Sequence, residues 1–387
     1  MKITSIDTFA IRIPGQAYMG GHGTDMNAGT LGNYVRHTRY RSSYNLFTES
    51  LLVRIKTDDG LVGWGEPQSA LVAHIVGQIV RELVAPALIG EDPFDRVMLR
   101  DRIYDFTRDR GHDAGFMVDA ISACDIALWD LAGQAVSKPV WQLLGGTYHD
   151  TLPCYVSGVP ATSSEERIDK IREWTDKGFT RIKLALGFGL KEDTQIVREV
   201  REAFGNTIEL YVDAHWAYAA DEAIALARQF EKLNVGFMEC AINAEDIYSQ
   251  SALTEAVDLT IALGEEYRTR YHFKERILQR AFDLAQPDIG RLGITEGKRV
   301  VDLCDTFGLS VAPHIGAGMS VYTMATLHVA AASPNLRVVE FQPTQVDAVE
   351  PYFTPVVAPS KGIYAIPSAP GLGVVPNLEA LEPYLVT

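Results

Sequence analysis

Ionisable residues recur through the second half of the chain, each at the end of a short apolar segment. Their spacings are 30, 26, 26, 23, 26 and 26 residues, which is about the length of one strand plus one helix. Each residue alone could be a helix N-cap or a surface charge. Isolated buried charges are costly, so a series at consecutive strand ends predicts a reactive rim rather than a purely structural barrel. The residues are Lys183, Asp213, Glu239, Glu265, Asp288, His314 and Glu340.

Three of these residues, Asp213, Glu239 and Glu265, are carboxylates on consecutive predicted strands. Because the carboxyl ends of neighbouring parallel strands meet at one edge, we expect the three side chains to converge. Three hard oxygen ligands, with no cysteine expected nearby, suit a Mg²⁺ ion that also takes oxygens from water and substrate. His215 follows Asp213 by two positions. It could be a ligand, but such a site needs no imidazole, so we expect His215 to transfer protons.

Asp288 and His314 lie at the ends of neighbouring predicted strands. A carboxylate beside an imidazole fixes its tautomer and raises its basicity. A lone histidine is more often structural than catalytic. With Asp288 alongside, we predict that His314 is a catalytic base.

The elements that would carry these residues begin near Pro153, where short apolar segments alternate with amphipathic helical stretches. This alternation is typical of parallel strands joined by helices, and eight strands predict a (β/α) barrel with its chemistry at the carboxyl ends of the strands. The alternative, a doubly wound open sheet, expects a glycine-rich phosphate-binding turn after its first strand, and none is present. The predicted strands lie near 154–156, 181–184, 209–212, 235–238, 260–263, 282–285, 310–312 and 337–339.

The first part of the chain shows predicted strands followed by predicted helices. Asp59-Gly60 marks a hairpin turn between two of the strands. The end of the chain beyond Pro351 has glycine and proline without a helical period, so we expect it to fold back on the first domain. We predict an α+β capping domain, a barrel domain and a returning C-terminal segment. The predicted strands lie at 3–13, 51–55 and 61–64, the helices near 70–89, 94–107 and 115–136, and the three parts at 1–125, 126–350 and 351–387.

Composition excludes several classes of protein. The 387 residues are 47% apolar and 22% charged, as in globular proteins, and 35 basic against 50 acidic residues give a net charge of −15. So acidic a chain does not attract nucleic acid through its overall field. The chain has neither an apolar run long enough for a membrane helix nor a signal-peptide core, so we predict a cytoplasmic protein without membrane contact. Four dispersed cysteines argue against zinc ribbons and disulfides, and we expect ordinary buried residues: Cys124, Cys154, Cys240 and Cys304.

Motifs along essentially the whole chain resemble the mandelate racemase branch of the enolase superfamily. Each motif alone would be weak, whereas the set is specific. The motifs are Gly63-Trp64-Gly65-Glu66, Cys124-Asp125-Ile126-Ala127-Leu128-Trp129-Asp130-Leu131, Val212-Asp213-Ala214, Gly264-Glu265, Gln286-Pro287-Asp288, Ala312-Pro313-His314 and Pro370-Gly371-Leu372-Gly373.

The resemblance implies a capping domain from both chain ends over a (β/α)₇β barrel of the TIM type. It implies Mg²⁺ on the three carboxylates already named and abstraction of the proton next to a substrate carboxylate to give an enediolate. Glu340 stands where the family places an acid that hydrogen-bonds the enediolate, although a salt-bridge partner is the alternative. Lys183 would add positive charge at the substrate carboxylate. By analogy alone, the family also implies a homo-oligomer.

Two departures from the family pattern bear on the reaction. The usual Lys-x-Lys reads Lys183-Leu184-Ala185, and Ala185 is neither an acid nor a base. A racemase needs both groups on opposite faces of one carbon, so we do not expect simple racemisation. On the fourth strand the usual Glu-Glu-Pro reads Glu239-Cys240-Ala241, which keeps the ligand and changes its neighbours.

Asp213-Ala214-His215 is similar to the Asp-x-His of galactonate and mannonate dehydratases, in which that histidine serves near the leaving hydroxyl. We therefore predict a Mg²⁺-dependent, aldonate-type sugar-acid dehydratase, a lyase that forms a 2-keto-3-deoxy acid. His314 would take the α-proton, and His314 or His215 would protonate the leaving hydroxyl. A cycloisomerase or epimerase of the same family is one alternative. A metal-binding barrel without activity is another, which Ala185 favours.

The substrate should be a small hydroxylated carboxylate. A polar segment from about 18 to 49 contains His22 and Arg39 among several basic residues, and we expect it to close over the distal end of a sugar acid or over a second carboxylate. Its alternatives are a solvated or an oligomer-contacting loop. Arg291 and Tyr267 follow the sixth and fifth predicted strands and could also bind substrate, or simply pack.

Overall fold

The computed structural model describes residues 1–14, 30–36, 40 and 42–386. Its N-terminal part is built on an antiparallel sheet of order β1-β5-β6, against which several helices pack. The strands of this part are β1 (Ile3–Pro14), β2 (Thr30–Leu31), β3 (Tyr34–Arg36), β4 (Ser43–Asn45), β5 (Phe47–Thr57) and β6 (Val62–Gly65), and the helices are α1 (Ala73–Ile79), α2 (Ala85–Leu88), α3 (Arg96–Asp105), α4 (Phe116–Ala135) and α5 (Val140–Leu143).

One expectation about this part is wrong. The polar segment predicted as a single long loop contains β2, β3 and β4, which pair as a small antiparallel sheet, and β5 begins inside it. Tyr34 and Val35 pair with Asn45 and Tyr44. Strands of two or three residues with polar partners are too short for an alternating pattern to show in the sequence.

The second part is a ring of parallel strands with a helix after each of the first seven, which confirms the predicted (β/α)₇β barrel with a cap. A backbone bridge between Val311 and Leu336 closes the ring. The strands are β7 (Leu152–Ser157), β8 (Arg181–Ala185), β9 (Glu209–Asp213), β10 (Val235–Glu239), β11 (Ile261–Leu263), β12 (Leu284–Ala285), β13 (Ser310–Val311) and β14 (Val339–Phe341). The helices are α6 (Ser164–Asp176), α7 (Leu190–Phe204), α8 (Ala220–Lys232), α9 (Ile247–Ala256), α10 (Arg270–Leu278), α11 (Ile289–Thr306) and α12 (Ser320–Ala331).

Strand register brings the predicted rim residues together. Asp213 pairs with both Ala185 and Glu239, and Asp288 bridges His314. Tyr211 and Phe237 stand two positions before Asp213 and Glu239. Their rings stack 4.1 Å apart inside the barrel. Because side chains alternate along a strand, a buried ring two positions back directs each carboxylate inward above it.

Helix α4 joins the two parts, packing against β6 on one side and α11 on the other. The buried carboxylate of Asp125 accepts hydrogen bonds from Thr295 N (2.8 Å) and Oγ1 (2.5 Å). A Cβ on Gly65 would lie 1.8 Å from the Ala123 carbonyl oxygen. Only glycine therefore allows β6 to lie this close to the helix, which explains a glycine of the Gly-Trp-Gly-Glu motif.

The C-terminal segment contacts both parts. Leu385 bridges Ile11, and Val386 N donates to Ala10 O, while residues 363–364 pair with β7. Its elements are β15 (Phe353–Thr354), β16 (Ile363–Tyr364), β17 (Val375–Pro376) and α14 (Leu378–Leu381), and the helix α13 (Pro343–Val349) lies between β14 and this segment.

Two compositional expectations can be compared with the structure. The cysteines are buried free thiols, as predicted. Among the described residues, no single helix is long and apolar enough to cross a bilayer, although the bent pair Ala73–Leu88 and Pro93–Arg110, at 110°, meets the length and composition requirement together.

His328 on α12 fastens the C-terminal segment to the barrel. Its Nδ1 accepts from Trp141 N (3.2 Å) and its Nε2 lies 3.1 Å from Leu372 O, so the neutral ring satisfies two backbone groups. Burial lowers the pKa of His328 to about 4. Between about 4 and the ordinary 6.5, the unfolded chain binds a proton that the folded chain does not.

We expect His328 to make the protein less stable as pH falls. Its contribution to the free energy of unfolding is complete above pH 6.5 and should decrease by about 2 kcal/mol between pH 7 and pH 5. Urea unfolding of His328→Leu should show a flatter pH dependence than the wild type, at a lower overall stability. His112→Gln, which alters an exposed histidine, is the matched control. An identical pH slope in wild type and His328→Leu would contradict this assignment.

Candidate active site

A cavity of about 480 Å³ lies at the carboxyl ends of the barrel strands, under the cap. From the barrel it is lined by four of the predicted reactive residues, Asp213, His215, Glu265 and His314. The other described lining residues are Ser42, Ser43, Tyr44, Asn45, Gln68, Ser69, Ala70, Leu71, Phe116, Asp119, Trp216, Arg268, Arg291, Gly316 and Ala317.

His314 is held by a hydrogen-bonded carboxylate. Its Nδ1 lies 2.7 Å from Asp288 Oδ2, which also accepts from the Tyr322 hydroxyl at 2.8 Å. The other Asp288 oxygen accepts from Arg291 N at 3.0 Å and so caps helix α11. This arrangement keeps a proton on Nδ1, so Nε2, 3.2 Å from Glu265 Oε2, is the nitrogen that can gain or lose a proton.

The charge around His314 favours its protonated form. Burial lowers its pKa, but the carboxylates of Glu265, Glu340 and Asp288 more than offset burial and raise the pKa to about 10. Because Glu265 belongs to the proposed cation cluster described below, this shift applies to the protein without a bound cation.

Lys183 lies behind the cavity in a buried ion-pair network. Its Nζ contacts Glu239 Oε1 and Oε2 at 3.0 and 2.8 Å, and Glu340 Oε1 at 3.0 Å. The three side chains are 2%, 0% and 0% exposed. Burial disfavours the ammonium, but the two carboxylates raise its pKa well above the ordinary value. Lys183 is therefore a fixed positive charge and not a base.

The densest group of possible metal ligands in the part of the chain described is Glu239, Cys240 and Glu265, whose ligand atoms lie within 4.8 Å of one another. The expectation that no cysteine lies nearby is wrong. Cys240 has a φ of 49°, so the chain leaves the strand geometry there and the usual alternation of side chains fails. Asp213 is adjacent to Glu239 in register but is not in this compact group.

The donor set fits a divalent cation. Burial and the neighbouring carboxylates raise the pKa of Glu239 to about 8, although Lys183 acts in the opposite direction. A Gln286 amide at 2.6 Å supports one oxygen of Glu239. Carboxylates this close repel one another, and a dication between them would turn this repulsion into attraction.

His215 has a different environment from His314. Its backbone N–H donates to Asp213 Oδ1 (2.9 Å), and both His215 and Trp216 have left-handed backbones, with φ of 47° and 54°. Trp216 N donates to Cys240 O, which fixes this turn to the next strand. The ring of Tyr40 stacks on the imidazole, with centroids 4.2 Å apart.

Of the four residues predicted to bind substrate, one lines the cavity, one does not, and two lie outside the described residues. Arg291 lines the cavity, with Nε bonded to Gln68 Oε1 (3.0 Å) and Nη1 to the Glu265 carbonyl oxygen (2.8 Å). Tyr267 is not among the described lining residues and lies under the guanidinium of Arg276 at 4.1 Å, so the packing alternative describes it. His22 and Arg39 lie outside the described residues.

The sequence gives little sign of two residues that support the site. Tyr322 sits in an otherwise apolar helix, so nothing in the pattern singles it out. Glu66 is part of a motif, but its contacts are not visible in the sequence: it accepts from Met319 N (2.5 Å) and Tyr322 N (2.9 Å). The cap therefore fixes the start of the helix that brings Tyr322 to Asp288. Arg268 and Trp216 also line the cavity and were not predicted.

Family models match most of the chain. Residues 42–145 match the mandelate racemase / muconate lactonizing enzyme N-terminal domain, and residues 166–380 match the enolase C-terminal domain-like family. The chain therefore belongs to the mandelate racemase-like branch of the enolase superfamily, and the predicted resemblance is confirmed.

Curated relatives match between 76% and 87% of the chain. An arabinonate dehydratase of Saccharolobus solfataricus is 30% identical, covering 87% of this chain and 90% of the relative. A D-galactonate dehydratase of Verminephrobacter eiseniae is 34% identical over 76% and 78%. A D-galactarolactone cycloisomerase of Agrobacterium fabrum is 29% identical over 86% and 90%. Two of the three are hydro-lyases, in agreement with the predicted lyase class.

Solved structures share the fold. A proposed isomerase of Sinorhizobium meliloti is 33% identical with a TM-score of 0.95, over 100% of both chains. A racemase of Streptomyces coelicolor with bound magnesium is 26% identical with a TM-score of 0.85, over 99% of this chain and 100% of that one. Binding of Mg²⁺ is thus documented within the fold.

Removing Lys183 should destabilise the fold strongly. Lys183→Met leaves Glu239 and Glu340 buried without their cation, and breaking a buried pair in this way costs about 3–5 kcal/mol. The free energy of unfolding from urea titration measures this loss. Lys191→Met, which changes an exposed lysine on α7, should alter stability by less than about 0.5 kcal/mol. Equal stabilities of the two variants would contradict the network.

Proposed function

We propose that the protein is a Mg²⁺-dependent dehydratase of an aldonate-type sugar acid. The observation that carries the proposal is the pair of imidazoles on one cavity, His314 held by Asp288 and His215 beside Asp213, next to a cluster of carboxylates. Relatives named as arabinonate, xylonate and galactonate dehydratases support this reaction class.

The proposed reaction uses the two imidazoles in turn. Nε2 of His314 takes the proton next to the substrate carboxylate, and the electron pair of the broken C–H bond forms the enediolate. The β-hydroxyl then leaves as water, with a proton from His215 or His314, and the remaining enol tautomerises to a 2-keto-3-deoxy acid. Each proton transfer by a positioned group contributes about 10²–10⁴-fold in rate.

Asp213, Glu239 and Glu265 would hold the cation. When bound, it supplies Lewis-acid stabilisation of the charge that develops on the substrate carboxylate. Lys183, which is not among the described lining residues of the cavity, neutralises Glu239 and Glu340 through its ion pairs and so adds positive charge next to the site. Glu340 also accepts from Ile315 N at 3.0 Å, so it is fixed near His314.

The rest of the cavity suits a polyhydroxylated acid. Its cap side presents hydroxyl and amide groups from Ser42, Ser69, Asn45 and Gln68, and Arg291 adds positive charge. Short neutral donors and acceptors match sugar hydroxyls. We further propose a cytoplasmic location, in keeping with four unpaired cysteines, and a homo-oligomer by analogy with the family.

A cycloisomerase is the second candidate, since a relative of similar identity carries that name. It would use the same base and cation and would retain the formula of its substrate. Retention of the Asp288–His314 pair with its Tyr322 support counts against an inactive barrel, because a merely structural barrel has no need of that buried network.

Arabinonate, xylonate and galactonate, incubated with Mg²⁺ in D₂O, distinguish the roles of the two imidazoles. His314→Asn should lower the rates of both product formation and deuterium uptake at C2 by at least about 10²-fold. His215→Asn should slow formation of the 2-keto acid, detected as its semicarbazone, while C2 exchange persists. Survival of dehydration in His215→Asn would make His314 both base and acid. Isomerisation of D-galactarolactone without 2-keto acid from any sugar acid would instead support the second candidate.

Mg²⁺ should stabilise the folded protein. A cation at 100 times its dissociation constant adds about 2.7 kcal/mol, which raises the melting temperature by several degrees. Asp213→Asn, Glu239→Gln and Glu265→Gln should lose this shift, whereas Glu202→Gln on the exposed face of α7 should keep it. An equal Mg²⁺ shift in all variants, or full activity after EDTA treatment, would refute this cation site.

A further inference from the structure

The two imidazoles of the cavity are held by different means. His314 has a carboxylate partner on its Nδ1. The Nδ1 of His215 has no hydrogen-bond partner among the described residues, although Asp213 Oδ1 lies 3.4 Å away. Hydrogen bonding therefore leaves the orientation of the His215 ring undetermined on that side.

A tyrosine from the capping domain supplies the missing restraint. The ring of Tyr40 lies on the His215 imidazole with centroids 4.2 Å apart and planes inclined by 24°. Tyr40 is only 4% exposed, and its ring also contacts Phe188, 5.8 Å away, in the loop after β8. The tyrosine is thus packed between that loop and His215.

Stacking acts on the face of the imidazole, so it fixes the ring plane and occupies neither nitrogen. His215 lines the cavity, whereas Tyr40 is not among its described lining residues. Tyr40 therefore acts on the cavity through the residues that it contacts, and two of these, His215 and Tyr44, line it. The left-handed backbone at 215 and 216 already directs this side chain toward the cap, where Tyr40 meets it.

We propose that Tyr40 is a positioning residue for His215, holding the imidazole where it can protonate the leaving hydroxyl. This inference rests on the proposed dehydratase function. The cap would then control the second half of the reaction, C–O cleavage, while the barrel and its Asp288–His314 pair control the first, C–H cleavage.

The test compares the two half-reactions in D₂O with Mg²⁺ and the best substrate among arabinonate, xylonate and galactonate. Tyr40→Leu should lower dehydration at least tenfold, as His215→Asn does, while deuterium exchange at C2 stays within threefold of the wild type. Tyr40→Phe, which retains the ring, should restore dehydration to within threefold. Tyr40→Met, an unbranched replacement without a ring, should behave like Tyr40→Leu and serves if that variant folds poorly.

Tyr104→Leu is the control for general damage to the cap, since Tyr104 is buried there away from the cavity. It should change exchange and dehydration equally or not at all. If Tyr40→Leu lowered exchange and dehydration in parallel, or left dehydration unchanged, the positioning role would be overturned. Dehydration by the wild type would still support the proposed dehydratase function in either case. A wild type that neither exchanges nor dehydrates any of the three acids would remove the proposed function, and this inference with it.

Discussion

Repulsion among buried carboxylates is the constraint on which the barrel mouth depends. Glu239 and Glu340 are fully buried and share one cation, Lys183, so the network is stable only with that ammonium in place. Glu265 adds a further negative charge within reach of His314. The fold tolerates this density because strand register, and not local preference, fixes where each carboxylate lies. A site so rich in negative charge is arranged for a positive ligand, and this is the physical basis of the proposed cation cluster.

The capping domain also helps to position the residues around His314. Glu66, at the end of the cap hairpin, accepts two backbone N–H groups at the start of α12, and this helix carries Tyr322 to Asp288. The carboxylate that orients His314 is therefore coupled to the cap through one helix. Asp125 makes a second connection, to α11 through Thr295, and Asp288 itself caps α11. Cap and barrel cannot shift relative to each other without disturbing these bonds.

The barrel and the ionisable residues at its rim could be predicted from the sequence, because the repeated spacing of charged residues indicates where successive strands end. Asp288 caps helix α11 with one oxygen and holds the His314 imidazole with the other, so both sequence interpretations, helix N-cap and partner of the proposed base, apply to it. What the sequence does not show are contacts made across the fold. Tyr322 lies in an apolar helix and Tyr40 in a polar segment, so neither stands out in a periodic pattern. Cys240 approaches the carboxylates because a left-handed residue ends the alternation of its strand, and alternation is what a sequence argument must assume.

Two features of the chain together support the proposed dehydration: Ala185 stands where a base would be expected, and His215 adds a second imidazole to the cavity. Ala185 pairs in register with Asp213, so the position where the family pattern places its second lysine is directly beside the strand that precedes His215. Racemisation returns a proton to the opposite face of the same carbon, which a residue at 185 would have to deliver. Elimination needs its second proton on an oxygen one carbon further along. In the proposed mechanism the second proton-transfer group is His215, which lies in the loop after β9 and lines the same cavity as His314, instead of a residue at the end of β8.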